Sequence, residues 1–281
     1  MFRKIAAIVC LIFLSLVTAQ TAIAAVAYDG TGDSHVITDP NVGSTGPITV
    51  CLWFKTSAFN DSQTVAYYGN GTDSAAGRGF VVEEINIDAT TGKLRALMFN
   101  GATSTDIVSP TLTINTFYHI CFVLQETPDS LIYLDATDGL SDVSNDTDAW
   151  TIQNSTDDFV SGGVLPSRTG AGATEANSTV VFLSYWNTAL TGPQIASMAD
   201  KTTCPTAVAS SNLKVFMKLL TIGSGTESST NAFSYTETGN PTTVSDPAGL
   251  PCSTSGGVLG LNDVCGLGGL PGQGNPTGGA Q

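Results

Sequence analysis

One string in this sequence has the spacing of a two-carboxylate active site: Glu84, Asn86 and Asp88. Side chains two residues apart on a β-strand share a face, and a retaining glycosidase holds its two carboxyl groups about 5–5.5 Å apart across one bond. However, Asn86 removes the middle carboxylate, and Asp88 is one methylene shorter than a glutamate. We therefore interpret the string as the polar, solvent-facing side of an ordinary strand, and we expect no enzymatic activity.

Acidic residues in loops are better candidates for chemistry, because carboxylate and amide oxygens suit a hard ion such as calcium. None of them has the spacing of an EF-hand, and turn formation explains many Asp residues for backbone reasons alone. The candidate calcium ligands are Asn70, Asp73, Asp157 and Asp158. Calcium is therefore the one cofactor that the sequence suggests.

Most of the histidines and tryptophans are predicted to be structural residues. His35 and His119 are the two histidines, and His119 lies in a strand pattern beside a cysteine, which argues for a structural position and against a Ser-His-Asp triad. Trp53 and Trp186 also lie in apolar strand patterns and are predicted to be packing residues. Trp150 is the tryptophan that we expect to be exposed, and with Asn70 and Asp73 it completes the predicted ligand-binding residues.

Two strand-like segments, Ile48–Lys55 and Phe117–Leu124, each carry one cysteine in the middle of an alternating pattern. The alternation places Cys51 and Cys121 in matching rows, which predicts neighbouring strands joined by a disulfide. Closing a loop of about 70 residues stabilises a fold by roughly 4 kcal/mol on the chain-entropy model. This prediction requires an oxidising compartment.

Three further cysteines, Cys204, Cys252 and Cys265, allow three single pairings. Sequence does not choose among them, although closeness along the chain favours Cys252 with Cys265. The missing paired C-x-x-C spacing argues against zinc.

The first 24 residues have the features of a secretory signal. Arg3 and Lys4 precede the apolar segment from Ile5 to Val17, and Ala22 and Ala24 form a small-x-small cleavage site. The apolar segment is too short to span a bilayer comfortably, so we predict a secreted chain, extracellular or periplasmic, without stable membrane insertion. Removing the two basic residues changes the formal net charge from −14 to −16, which disfavours nucleic acid as a partner.

The rest of the chain alternates short strand patterns with turns rich in Gly, Asn, Asp and Pro, which is typical of an antiparallel sandwich. One helix is predicted from Thr191 to about Ala199, because Thr191 and Gln194 have the spacing of a capping box and Pro193 lies in the first turn. We predict one domain over residues 25–246 and a flexible Gly- and Pro-rich tail over residues 247–281.

Five segments in this order resemble laminin G-like, concanavalin A-like domains: Tyr28–Asp33, Ile48–Lys55, Phe117–Leu124, Leu131–Asp135 and Ser184–Ile195. The resemblance covers roughly residues 26–246 and implies an all-β, antiparallel jelly-roll sandwich with one short helix near its end. Some enzymes of this superfamily, the glucanases, carry a Glu-x-Asp-x-Glu strand, to which the string from Glu84 to Asp88 is similar.

The two cysteine strands make the chain resemble pentraxins in particular, whose disulfide joins the corresponding positions. This resemblance implies calcium-assisted binding. The stretches that correspond to the pentraxin calcium site are Gly69–Ala76 and Ser161–Ser167, and the second of them carries no carboxylate. We therefore expect a secreted, non-enzymatic module that binds a glycan or another cell-surface ligand. The alternatives are an adhesion module that acts through protein contacts and, third, a jelly-roll glucanase. Oligomeric state is left open.

Overall fold

A computed structural model describes residues 24–44, 46–69, 79–100, 103–125, 130–140, 157–163, 174–175, 177–245, 247 and 250. All of them belong to one compact unit, Ala22–Ser253. Several predictions fall outside the described residues and stay predictions: the leader up to residue 23, the tail apart from Pro247 and Leu250, Asn70, Asp73, Trp150, Cys252 and Cys265.

The described residues form eighteen strands in two sheets. Sheet I contains β1 (Ala24–Ala27), β3 (Ile48–Thr56), β9 (Tyr118–Leu124), β10 (Leu131–Leu134), β11 (Thr137–Leu140), β14 (Ser178–Trp186), β15 (Leu213–Met217) and β18 (Thr242–Ser245). Sheet II contains β2 (Ser34–Ile37), β4 (Gln63–Tyr68), β5 (Gly79–Asn86), β6 (Thr91–Asn100), β7 (Thr103–Val108), β8 (Leu112–Thr113), β12 (Phe159–Ser161), β13 (Thr174–Glu175), β16 (Gly225–Thr226) and β17 (Ser234–Thr238).

The strand order is β11-β10-β9-β3-β14-β1-β18 in sheet I, where β15 also pairs with β14. It is β16-β17-β2-β12-β4-β5-β6-β7 in sheet II, where β8 pairs with β6 and β13 pairs with β4. All described pairs are antiparallel except β13 with β4. Pairs such as β3 with β14, β1 with β18 and β2 with β12 join distant parts of the sequence, as in a jelly roll, so the predicted antiparallel sandwich is confirmed.

The main core lies between the two sheets and takes side chains from the inward-facing rows of the longer strands. Sheet I contributes residues such as Val50, Leu52 and Ile120, and sheet II contributes residues such as Phe80 and Val82, all at 0% exposure. Alternate positions in β3 therefore point to opposite sides of sheet I, as the sequence pattern predicted.

The predicted disulfide is confirmed. β3 and β9 pair so that Cys51 lies directly opposite Cys121, and the two sulfur atoms are bonded across 70 positions of sequence. In the same register Trp53 lies opposite His119. The bond therefore closes a long loop at the centre of sheet I.

A second apolar cluster covers the outer face of sheet I, where the predicted helix packs. Helix α1 spans Gly192–Ala199 and buries Ile195 and Met198. Its first turn is held by the Gln194 side-chain oxygen, which accepts the backbone N–H of Thr191 at 2.9 Å, as the capping-box spacing predicted. No helix in the described part of the chain combines the length and hydrophobicity needed to cross a membrane.

Cys204 is also disulfide-bonded. Its partner lies outside the described residues, as does the predicted pair Cys252–Cys265. Because each cysteine forms one such bond, a link from Cys204 to either of these residues excludes the pair that closeness along the chain favours.

Candidate functional site

Three strands of sheet II bring one pair of the predicted ligand residues to the end of the sandwich. Phe159, the first residue of β12, pairs with Tyr68 at the end of β4 and with Ile37 at the end of β2. Asp157 and Asp158 precede Phe159, so they lie at the edge where β4 and β2 both finish. We call this edge the Asp158 end of sheet II.

The chain leaves β4 at this end through Gly69, the residue directly before Asn70. Gly69 has a φ of +96°, a conformation that glycine adopts without the steric penalty of a side chain. The return strand β5 starts beside it at Gly79, where an added Cβ would lie 1.8 Å from the Tyr68 carbonyl oxygen. The connection that carries Asn70 and Asp73 therefore starts and finishes at the Asp158 end.

The Asp158 carboxylate joins β12 to the chain that follows β2. An Asp158 side-chain oxygen accepts the backbone N–H of Asp39 at 3.4 Å, and Asp39 itself is exposed with a φ of +45°. Asp157 and Asp158 are both half-buried. Asp157 and Asp158 thus place two half-buried carboxylates at this rim, and Asp39 meets it through its backbone N–H.

Tyr67 connects this rim to the outer face of sheet II. It lies opposite Val160 in β12. Val160 and Asp158 are two residues apart, so Tyr67 and Asp158 lie on the same side of sheet II. Burial of the tyrosine raises its pKa to about 12, and the negative charges of Asp158 and Asp157 add to the shift. The hydroxyl therefore stays protonated at neutral pH and is a hydrogen-bond donor beside two acceptors.

Beyond Tyr67, the outer face of sheet II is apolar and then charged. Tyr67, Val81, Leu97 and Val160 form a small buried cluster. Farther along β5, Glu83 is fully buried and forms an ion pair with Arg95 of β6, whose side chain is 27% exposed. The cluster and the ion pair occupy this face, while the half-buried carboxylates at the rim are its hydrogen-bond acceptors.

Sequence analysis missed Asp39 and Tyr67 as parts of this site. Tyr67 stands two residues before Gly69-Asn70, so its position next to a predicted ligand loop was a usable signal. Asp39 had no comparable signal, because it reaches the rim only through the pairing of β2 with β12.

The interpretation of Glu84 as a solvent-facing residue is wrong. Phe80 and Val82 point into the core between the sheets, and Glu84 continues their row at 0% exposure, opposite Leu94. One carboxylate oxygen accepts the backbone N–H of Asn60 at 3.3 Å, and the other has no hydrogen-bond partner among the described residues. Burial raises the pKa of this carboxyl from 4.5 to about 8.

With Glu84 buried, Glu84 and Asp88 cannot hold a sugar between them as the two carboxylates of a retaining glycosidase do. Asn86 and Asp88 are exposed near the hairpin that joins β5 to β6, and Asp88 accepts hydrogen bonds from Thr90 and Thr91. Glu84 faces the inside of the sandwich, away from any sugar on the outer face. The two carboxyl groups therefore do not share an accessible surface.

Both histidines belong to the packed interior. His119 is 3% exposed, contacts the Trp53 ring at a centroid distance of 5.2 Å, and burial lowers its pKa to about 3. His35 lies between the Tyr28 hydroxyl, 3.2 Å from Nδ1, and a Glu237 carboxylate oxygen, 3.3 Å from Nε2. The structural position predicted for His119 is confirmed.

Potential metal ligands converge at one place in the described residues: Cys51, His119 and Cys121. The two sulfur atoms are bonded to each other, so this group is part of the disulfide.

Trp53 and Trp186 are 7% and 0% exposed, and the Trp186 indole N–H donates to the Val208 carbonyl at 2.9 Å. Both are packing residues, as predicted.

Comparison with protein families agrees with the geometry. Residues 29–196 match the family model of the concanavalin A-like lectin/glucanases superfamily. The chain belongs to this superfamily. No curated protein matches it.

Among solved structures, a "putative carbohydrate binding protein" from Bacteroides ovatus ATCC 8483 is similar at a TM-score of 0.53 and 16% identity, over 81% of this chain and 61% of that one. The native heptameric SAP-like pentraxin from Limulus polyphemus has a TM-score of 0.46 and 16% identity, over 64% and 83% of the two chains. The binding domain of botulinum neurotoxin serotype G has a TM-score of 0.39 and 14% identity, over 56% and 37%. At these identities, the likeness to the Bacteroides protein supports the fold alone.

Proposed function

We propose that this protein is an exported, non-enzymatic glycan-binding module whose ligand lies at the Asp158 end of sheet II. The observation that carries the proposal is the convergence of Asp157 and Asp158 on the edge where the β4–β5 connection starts and finishes. Sugar hydroxyls donate hydrogen bonds to carboxylates, and rim loops on a rigid sandwich are where such ligands bind. The carbohydrate-binding label of the Bacteroides protein supports this choice by analogy only.

Calcium fits the same end by the chemistry of its donors. Asp157 and Asp158 offer hard carboxylate oxygens at a half-buried position, and the backbone of Asp39 contacts the Asp158 carboxylate. Calcium takes 6–8 oxygen ligands, so Asn70, Asp73, backbone carbonyls or water would complete the set. The ion would then bind Asn70 and Asp73 of the β4–β5 connection and supply coordination positions for sugar hydroxyls.

Export is the remaining part of the proposal. The Cys51–Cys121 disulfide is stable in oxidising compartments, and the leader predicted from the sequence would direct the chain there. The module would then act outside the cytoplasm, on glycans at a cell surface or free in solution.

The test is thermal unfolding of the oxidised chain in calcium, in excess chelator and with a panel of neutral and acidic oligosaccharides. A ligand at 100 times its Kd stabilises the native state by about 2.7 kcal/mol, which raises Tm by about 5–10 °C in a domain of this size. The matched variants are Asp157→Asn with Asp158→Asn, and Asp88→Asn at the opposite end of β5.

We expect the double variant to lose the Tm shift that calcium or sugar produces, and Asp88→Asn to keep it. A sugar shift that survives chelator would support a calcium-free glycan site. If neither calcium nor any sugar shifts Tm, the rim is not a glycan site, and the protein-contact alternative replaces the proposal. Equal shifts in all variants would place the ligand elsewhere on the molecule.

A further inference from the structure

The Asp158 carboxylate lies between two short residues at the rim of sheet II. β12 pairs with β4 on one side and with β2 on the other, and the positions that continue these pairings beside Asp158 are Gly69 and Thr38. Gly69 has no side chain, and the side chain of Thr38 is exposed. No bulky side chain on either neighbouring strand therefore stands next to the half-buried carboxylate.

Among the described residues, no basic side chain forms an ion pair with Asp158. The ion pairs found there involve Glu83 and Glu237, and Asp158 accepts one long hydrogen bond, from the Asp39 N–H at 3.4 Å. The whole chain has 24 acidic and 10 basic residues, and such an excess of negative charge attracts cations. A ligand group that is positively charged and donates hydrogen bonds would therefore complement this carboxylate.

The Tyr67 hydroxyl is a second polar group at the same place, and it is independent of the acidic residues. Tyr67 is 6% exposed, and its hydroxyl makes no hydrogen bond to any described residue. The charge of Asp158 adds to the rise that burial causes in the pKa of Tyr67, so the two groups are close enough to interact. A nearly buried hydroxyl without a partner is costly, and it can both donate to and accept from a sugar hydroxyl.

We propose that the Asp158 end selects amino sugars, whose ammonium group binds Asp158 while a neighbouring hydroxyl binds Tyr67. An ammonium has three hydrogen-bond donors and no acceptor, and hydrogen bonds between charged groups are roughly twice as strong as neutral ones. Sugars that carry a carboxylate or a sulfate are repelled by Asp157 and Asp158. The inference rests on the proposed glycan function, and it names the class of sugar that the calcium-free site prefers.

The test is isothermal titration calorimetry of the oxidised full chain at pH 6 in excess chelator, so that calcium does not neutralise the carboxylate. The probes are short glucose-based and galactose-based oligosaccharides that differ only at the terminal ring, which carries a free amine, an N-acetylated amine, a hydroxyl or a uronic acid. We expect the free amine to bind at least about 10-fold more tightly than its acetylated form, because acetylation removes the charge from the same nitrogen atom. The uronic acid should bind most weakly.

The pH profile of the unmodified protein is a readout that needs no variant. Amino groups of this kind lose their proton near about pH 8, so the preference for the free amine should fall between pH 6 and pH 9. Binding of the acetylated sugar should stay constant over the same range. Tyr67 does not contribute to the profile, because its pKa is about 12.

Three variants assign the preference to its residues. Asp158→Asn keeps the shape of the side chain and removes its charge, so the free amine should bind no better than the acetylated sugar. Tyr67→Phe keeps the ring and removes the hydroxyl, so both sugars should bind more weakly by the same factor. Asp88→Asn removes an exposed charge at the opposite end of β5 and, as the matched control, should keep the preference.

Several results overturn the inference and leave the proposed glycan site standing. They are equal binding of the free and acetylated amines, tighter binding of the uronic acid, a preference that does not change between pH 6 and pH 9, a preference that persists in Asp158→Asn, and full affinity in Tyr67→Phe. If none of these sugars binds, the inference also fails, and the wider panel with calcium then decides the proposed function separately.

Discussion

Replacing Glu84 by glutamine should stabilise the protein at neutral pH. The Glu84 side chain is fully buried in the main core, with one carboxylate oxygen bound to the Asn60 N–H and the other unpartnered among the described residues. An ionised carboxylate is costly there because it has lost its hydration. Glutamine has the shape of the protonated acid and carries no charge.

The magnitude follows from the pKa of this carboxyl, which burial raises from 4.5 to about 8. Below pH 4.5 the group is protonated in the folded and the unfolded chain, so it favours neither state. As pH rises toward 8 the unfolded chain releases this proton and the folded chain keeps it, which lowers the free energy of unfolding. Each pH unit is worth about 1.4 kcal/mol, so the wild type loses about 3 kcal/mol by pH 7 relative to Glu84→Gln.

The assay is urea unfolding of both proteins, followed by tryptophan fluorescence, at intervals from pH 4 to pH 9. The difference in free energy of unfolding should be near zero at pH 4, grow through neutral pH and level off above pH 8. Taking the difference cancels the titration of every other group that the two proteins share. Asp200→Asn, which removes one negative charge from an exposed position, should follow the wild-type curve.

Two results would refute the reasoning. A difference that does not change with pH would mean that Glu84 does not titrate between the two states. A Glu84→Gln protein that is less stable at pH 8 would mean that the ionised carboxylate is stabilised by a cation or water. Either result would also remove the argument that Glu84 is a neutral structural residue.

Three further predictions concern stability. Glu227→Ala should lower the free energy of unfolding by about 3–5 kcal/mol in urea, because the buried carboxylate accepts three backbone N–H groups and one hydroxyl; a loss under about 1 kcal/mol contradicts this. The lowered pKa of His119, about 3, means that below pH 6.5 only the unfolded chain takes up this proton. The stability advantage of wild type over His119→Gln should therefore shrink by about 1.4 kcal/mol per pH unit from pH 6.5 to pH 4.5, and a constant difference would show otherwise. Replacing Cys51 and Cys121 together by alanine should cost about 4 kcal/mol in the same assay, whereas an unchanged urea midpoint would show that the loop closure adds nothing.

The pairing of β3 with β9 could be predicted because two independent signals agree there. Apolar alternation defines the rows of each strand, and one cysteine in each strand fixes the register at Cys51 opposite Cys121. A shift by one residue would place the cysteines on opposite faces and bury the wrong rows. The helix from Gly192 to Ala199 was predictable for a similar reason, since its capping residues are local in sequence.

Glu84 could not be placed in the same way. Period-two alternation shows that Phe80, Val82 and Glu84 share a face, but Val81 makes the opposite face of β5 apolar as well. The pattern therefore does not tell which face lies inside. The deciding contact comes from Asn60, in a loop that reaches Glu84 only after β4 and β5 have paired.

The candidate site depends even more on pairing between distant strands. Asp158 was identified from sequence, but Asp39 and Tyr67 join it only because β12 is inserted between β2 and β4. Glu84 lies toward the opposite end of β5, and its side chain points to the other side of sheet II. Glu84→Gln should therefore change stability without changing the Tm shift produced by calcium or sugar. A lost ligand shift in that variant would mean that the ligand contacts the core side of sheet II, where no rim carboxylate of Asp157 or Asp158 could reach it.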